Sequence, residues 1–311
     1  GPFLGGLLIA AWGWKAVFFA NVVLGLLLAF IMFFYVRFEW REAREQRLDI
    51  YGGILYGIAL VALMYGASIL PSLDGAAFMG GGAIFFLFFL RRMVRAKNPL
   101  FDVRLFSGNR VFTFSNIAAL INYAATYSVA FLLSLYLQYI KGMTPAEAGT
   151  VMIVQPGLQA LLSPFAGRLS DRVEPGLLAS GGMLFTAFGL GIFIFLGWST
   201  PMPLIVSALV LLGVGFAFFS SPNMNAIMGS VPSAYYGIAS GSVGTMRVLG
   251  QMTSMAVITI VFALFLGAEH ITAEQYGLFL VMTRICFSIS SLLCGVGVFF
   301  SFFRGKLHSG K

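Results

Sequence analysis

The sequence predicts an all-α fold, a polytopic helical membrane protein, on three observations. Of 311 residues, 59% are hydrophobic and only 10% charged, against about 25% charged in a soluble domain. The apolar residues gather in continuous runs, and most of these approach or exceed the roughly 20 residues needed to cross a hydrocarbon core about 30 Å thick. Barrel strands would instead be about 10 residues long with alternating polarity, so helices, which satisfy their own backbone groups, are the spanning elements.

The elements follow in order. The opening run 1–14 reaches roughly 21 Å at helical rise, too short to cross, and it lacks the charged start and small-residue cleavage site of a signal peptide. It reads as half a helix whose other half precedes Gly1. Nine longer runs follow at 15–36, 50–70, 75–90, 111–140, 148–166, 176–198, 203–228, 237–267 and 276–303. The run 75–90 is short, and snorkelling Arg91 and Arg92 extend it. Two connections, FEWREAREQRL at 38–48 and KNPLFDVRLFSGN at 97–109, mix charges with apolar residues and are expected along the membrane surface. They divide the chain into 1–37, 38–109 with two spans, and 110–311 with six.

Charge sets orientation. Of the 19 Lys and Arg residues, 15 lie on one set of alternate connections and at the C-terminus, while the other set holds Lys15 and Lys141. The positive-inside rule places the basic set and the C-terminus in the cytoplasm of a multi-pass cell-membrane protein. The net charge of +8 then reflects the bilayer as partner, not nucleic acid. Cys286 and Cys294 sit in an apolar run without metal spacing, and His270 and His308 lie in short polar segments, so no cofactor or metal is expected. An intramembrane enzyme would need Ser, His, Asp or metal ligands converging at depth, and no complete span holds a His or a carboxylate.

Several polar residues within the spans are candidates for function. Asn116, Tyr123, Tyr127 and Ser134 are spaced so that at 100° per residue they lie within about 20° of one line. Gln155, Gln159 and Ser163 follow one another by single turns on the next span. Asn116, Tyr123, Tyr127, Gln155 and Gln159 are the candidates on these two spans to face a solute. The competing reading for each is an interhelical hydrogen bond worth about 0.6 kcal/mol. Arg247 and Arg284 lie inside spans, where a centred charge costs about 2.5 to 3.5 kcal/mol. Their partners are expected to be carbonyls, amides, water or residues outside this chain, and a structural role is preferred for Arg247. Asp49 is placed to cap the helix that follows it.

GPFLGG at 1–6 resembles the tail of the antiporter motif on the fifth helix of drug:proton antiporters of the major facilitator superfamily. GWKAVFFANVVLG at 13–25 resembles the entry to their sixth helix, although Val23 stands where the family usually has Pro after the motif's Asn21. GRLSDR at 167–172 resembles the superfamily's cytoplasmic signature loop in its second-half copy, here followed by VEPG. SPNMNAIMGSVP at 221–232 and GIASGSVGTMRVLGQ at 237–251 resemble the last helices of the fourteen-span EmrB/QacA branch.

The resemblance implies a major facilitator fold with an incomplete N-terminal bundle, two linker helices and a complete six-helix C-terminal bundle. Helices one to four and part of the fifth belong to a missing portion of the same protein. It also implies proton-coupled efflux of drugs or other lipophilic or cationic compounds by alternating access, with small molecules and protons as partners and the coupling acid on an early helix. Asn116, Tyr123, Tyr127, Gln155 and Gln159, on the first two helices of the C-terminal bundle, would form the wall of the central cavity, their aromatic faces suiting lipophilic cations, and Gly1, Pro2, Gly5 and Gly6 would support close packing between bundles. Gly167, Arg168, Asp171 and Arg172 would form a conformational latch, with Asp171 at the N-terminus of the next helix and the arginines on carbonyls ending another. Alternatives are a facilitator for another solute, such as a siderophore or metabolite, or a truncated product that transports nothing.

Overall fold

A computed structural model describes residues 2–35, 49–69, 72–95, 103–266 and 272–305. Among the described residues all regular structure is helical, in twelve α-helices: α1 (Pro2–Trp12), α2 (Lys15–Tyr35), α3 (Ile50–Ser68), α4 (Leu73–Arg95), α5 (Val103–Gly108), α6 (Arg110–Tyr139), α7 (Pro145–Met152), α8 (Val154–Ser170), α9 (Pro175–Phe193), α10 (Met202–Gly229), α11 (Tyr236–Leu266) and α12 (Tyr276–Phe302). Seven of the described segments are long and apolar enough to cross a membrane: α2, α4, α6, α9, α10, α12 and Ser233–Leu266, which contains α11; α3 contributes the shorter apolar stretch Ile50–Gly66. The surface segment 38–48 lies outside the described residues, as do Gly1, His270 and His308; of 97–109, the structure describes α5 and Asn109.

Two spans differ from the sequence reading. The run 75–90 belongs to a longer helix, α4, which starts at Leu73 and carries Arg91, Arg92 and Arg95 on its last turn and a half. The run 148–166, read as one span, is broken at Ile153 into α7 and α8. Pro156 explains the break, because it offers no N–H to the carbonyl of Met152 and its ring crowds that carbonyl. Thr144 and Glu147 close a capping box at the start of α7, each accepting from the other's backbone N–H. The Thr144 amide and then its hydroxyl, both donating to the Glu147 carboxylate, hold that carboxyl below its ordinary pKa.

The C-terminal helices form one bundle in which α6 packs against α10, α11 and α12, α9 against α10 and α12, and α8 against α10. Lipid tails are as apolar as leucine, so these contacts gain little from burial and depend on close approach and hydrogen bonds. Glycine supplies the approach. A Cβ on Gly182 would lie 2.6 Å from the Phe219 nitrogen, and one on Gly250 would lie 2.6 Å from the Leu120 carbonyl oxygen. Around these contacts Leu132, Leu133, Leu137, Phe193, Phe279 and Phe287 are fully buried.

Outside this bundle, α3 and α4 pair closely and lean on α11, where the Tyr56 and Thr245 hydroxyls share a hydrogen bond of 2.5 Å. At the base of the pair Asp49 caps α3, accepting from Gly52 N–H at 3.0 Å, and meets Arg92 Nη2 at 2.7 Å. The capping role expected from sequence is present, and Arg92 of α4 is an added partner. α1 rests on α7, and no residue of α2 is buried.

The hydrogen bond from Arg92 is the main reason the Asp49 carboxyl stays below its ordinary pKa; burial opposes it and the Gly52 amide adds to it. A depressed carboxylate stabilises the fold fully above its unfolded pKa and loses that contribution as pH falls through the folded value. Asp49→Ala is therefore expected to cost the α3 N-terminus about 1 kcal/mol near neutral pH, read as faster amide exchange at Gly52. The difference from the parent should shrink as the pH falls through the folded pKa of Asp49.

Candidate functional site

Three helices meet around a cavity of about 220 Å³ lined by Ala119 and Tyr123 of α6, Ser220, Ser221, Asn223 and Met224 of α10, and Val243 and Arg247 of α11, with Phe219 beside them. Each side chain is placed by a local feature of its helix. On α10, Pro222 withdraws the N–H that the Phe218 carbonyl would accept, which loosens the ladder beside the two serines. On α11, Gly250 lets the helix approach α6 so closely that Arg247, three residues earlier, reaches Tyr123. The guanidinium carbon stands 5.2 Å from the centre of the Tyr123 ring, within cation–π range.

The floor of the cavity is pinned by a residue that sequence reasoning assigned to the charged tail. Arg304, just past α12, is 1% exposed. Its Nη1 donates to Ser115 Oγ at 3.1 Å and to Asn223 Oδ1 at 2.9 Å, its Nε donates to the Ser301 carbonyl at 2.7 Å, and its Nη2 donates to Ser301 Oγ. Asn223 Nδ2 in turn donates to the Ser115 carbonyl. One arginine thus joins α6, α10 and α12. Burial lowers its pKa, and the charge of Glu174 works against that shift.

The structure separates the five residues read as a cavity wall. Tyr123 lines the cavity. Asn116 is fully buried and lies in the seam between α6 and α11, its Oδ1 accepting from Ser242 Oγ at 3.0 Å and its Nδ2 donating to the Phe112 carbonyl. Tyr127 is 44% exposed, one turn beyond Tyr123. Gln155 and Gln159 are half-buried on α8, away from this cavity; the Gln155 carbonyl packs on Gly213, and the Gln159 carbonyl accepts from Ser163. Ser220, Ser221 and Asn223 complete the lining, and the signal for them was the polar SSPN step inside an otherwise apolar span.

The motif residues also find places. Gly6 is buried, and a Cβ there would lie 3.0 Å from the Pro145 carbonyl oxygen, so α1 meets α7 through it; Gly5 has open space around it. Pro2 begins α1. Asn21 donates to the Val17 carbonyl of its own helix, α2. Asp171, expected to meet the next helix's N-terminus, has its hydrogen-bond partner on α10: its Oδ1 accepts from Asn225 Nδ2 at 2.9 Å, and Asn225 also donates to Ser170 Oγ. The turn is therefore tied to α10, with Gly167 beside Ser221. Arg168 and Arg172 are exposed, and neither clamps a carbonyl among the described residues.

At the opposite end of the bundle the connection between α9 and α10 is held by three donors. Tyr136 OH donates to the Gly197 carbonyl, Lys141 Nζ to the Trp198 carbonyl and Arg284 Nε to the Leu196 carbonyl, at 2.7, 2.9 and 2.7 Å. Arg284 is thus satisfied by a carbonyl, as the sequence suggested. A larger apolar groove of about 740 Å³ runs between α3, α4, α5 and α11, and among the described residues its lining offers no charge to orient a solute. Replacing Arg304 by Ala would strand Asn223 Oδ1 and the Ser115 hydroxyl, and is expected to lower bundle stability by about 3 kcal/mol, measured by denaturant titration in detergent.

Comparison with known proteins places this geometry. Residues 1–255 match the family model described as Major Facilitator Superfamily. The chain is 27% identical over 304 residues to riboflavin transporter RibZ of Clostridioides difficile, covering 97% of this chain and 66% of that protein. It is 29% identical to multidrug resistance protein Stp of Mycobacterium tuberculosis, and 28% identical to the tetracenomycin C resistance and export protein of Streptomyces glaucescens; each match covers 86% of this chain and 50% of the relative. The chain spans about half to two thirds of the length of these relatives. With a matching model over most of its length and a bundle of membrane-crossing helices, this multi-pass membrane protein belongs to the Major Facilitator Superfamily.

Proposed function

We propose that the chain forms the second bundle and linker helices of a secondary carrier that exports amphipathic aromatic compounds by alternating access, coupled to protons. The observation that carries this reading is the cavity between α6, α10 and α11, where an arginine, two serine hydroxyls and a tyrosine ring face one space within membrane-crossing helices. Polar side chains at such depth are expensive unless they serve a pathway. The names of the relatives, a vitamin transporter and two drug-resistance proteins, support an organic solute as cargo. The fourteen-span drug-efflux branch is the assignment within the family, with the basic connections and the C-terminus in the cytoplasm.

In this reading the bundle rocks against a partner bundle about a midplane site. α1 packs on α7 through Gly6 as one seam between them, and the Asp171–Asn225 bond holds the signature turn to α10 so that the bundle moves as a unit. Protonation occurs elsewhere. All 11 Asp and Glu residues fall at helix ends or in connections, and not inside a span where a proton-coupling acid is expected.

The test is transport in proteoliposomes with an imposed pH gradient, using neutral, anionic and cationic aromatic solutes. The full-length carrier is expected to move at least one of them, with the flux abolished by a protonophore, while the 311-residue chain alone moves none faster than protein-free vesicles. Gradient-driven movement by this chain alone would contradict the assignment of the coupling acid to the other bundle.

A further inference from the structure

Two arginines lie within membrane-crossing helices, and the fold treats them oppositely. Arg284 gives its Nε hydrogen to the Leu196 carbonyl and so stitches a loop to the bundle. Arg247 makes no hydrogen bond or ion pair among the described residues; the Tyr123 ring covers it on one side, and the cavity lies beside it. A guanidinium carries five N–H donors and no acceptor. Arg247 is exposed, so inside a membrane-crossing helix its donors must be met by water or by acceptors on what enters the cavity.

The surrounding groups point the same way. The hydroxyls of Ser220 and Ser221 line the same cavity and make no hydrogen bond among the described residues, whereas Asn223 is spent, its oxygen on Arg304 and its nitrogen on the Ser115 carbonyl. Among the described residues no carboxylate lines the cavity. Nothing there would neutralise a bound cation, and Arg247 would repel one. The Tyr123 face and the Phe219, Met224 and Val243 side chains supply a flat apolar wall for a ring. At about 220 Å³ the space is smaller than the roughly 300 to 1,000 Å³ of complete small-molecule sites, so it takes one end of a solute and leaves the rest to the facing bundle.

We infer that this cavity is an anchor for the acceptor-bearing end of a planar aromatic solute, a carboxylate or a conjugated carbonyl, held by Arg247 and by the hydroxyls of Ser220 and Ser221. The inference rests on the reading of this bundle as the solute-binding half of a carrier, and it replaces the lipophilic cation suggested by the aromatic stripe. Arg247 changes role with it, from a structural arginine to the group that selects charge. Its planar fork matches a carboxylate in two parallel bonds, which a lysine cannot do.

The test measures equilibrium binding to the 311-residue chain in nanodiscs with three probes of one shape: naphthoate, naphthamide and naphthylmethylammonium. Naphthoate is expected to bind about tenfold more tightly than the ammonium probe, the scale of one charge-assisted contact. Arg247→Gln should erase that preference, Arg247→Lys should keep part of it, and Tyr123→Leu should weaken all three probes alike. A parent protein that binds the ammonium as well as the carboxylate, or an Arg247→Gln variant that retains the preference, would overturn the inference while leaving the carrier reading intact. Failure of all three probes to bind would likewise overturn the inference, while the carrier reading stands or falls on the proteoliposome flux.

Discussion

Close helix approach through glycine is the constraint on which the bundle rests. In a lipid solvent an apolar side chain gains nothing by trading a lipid neighbour for a protein one, so contact must come from backbone meeting backbone and from hydrogen bonds between helices. Gly182 against α10, Gly213 against α8 and Gly250 against α6 each occupy a place where a Cβ would fall within 2.8 Å of a neighbour's backbone atom. Once those three seams are set, the remaining face of α6, α10 and α11 cannot close completely, and the cavity follows. Arg247 stands one turn from Gly250, so the residue that permits packing also aims the charge.

The polar groups then divide into those that hold the bundle and those left available. Arg304, Asn223 and Ser115 form a buried cross-link at one end, and Tyr136, Lys141 and Arg284 hold the connection between α9 and α10 at the other. Ser128, Ser254 and Ser290 join α6, α11 and α12 between these ends. With both ends and the middle fastened by neutral partners, the second bundle is built to move as a rigid body. Arg247, Ser220 and Ser221, without such partners among the described residues, face the cavity; the side chains of Asn122 and Thr283, also unpartnered there, are buried away from it.

Much of the fold was legible in the sequence because span length and continuous apolarity are set by the bilayer, and the helices from α6 to α12 begin and end near the edges of those runs. The break at Ile153 was missed although its cause, Pro156, stands in plain view; a proline three residues past a break leaves the apolar run unbroken. The stripe on α6 shows why the site was harder to read. Periodicity tells which residues share a face but not what covers it: at Asn116 the face is sealed by Ser242 of α11, and at Tyr127 it is open. Arg304 was read as part of the basic tail because the partners that bury it lie 81 and 189 residues away in the chain, a distance that no local pattern spans.

The central claim is that the α6, α10 and α11 face is a hydrated solute cavity and not a lipid-facing surface. Cysteine accessibility tests it most directly, with Ser220→Cys and Ser221→Cys in the chain whose native thiols, Cys286 and Cys294, are buried. Both introduced cysteines should react with a water-soluble, membrane-impermeant methanethiosulfonate and be protected by naphthoate. Reaction only with a lipid-soluble maleimide, and indifference to naphthoate, would contradict it.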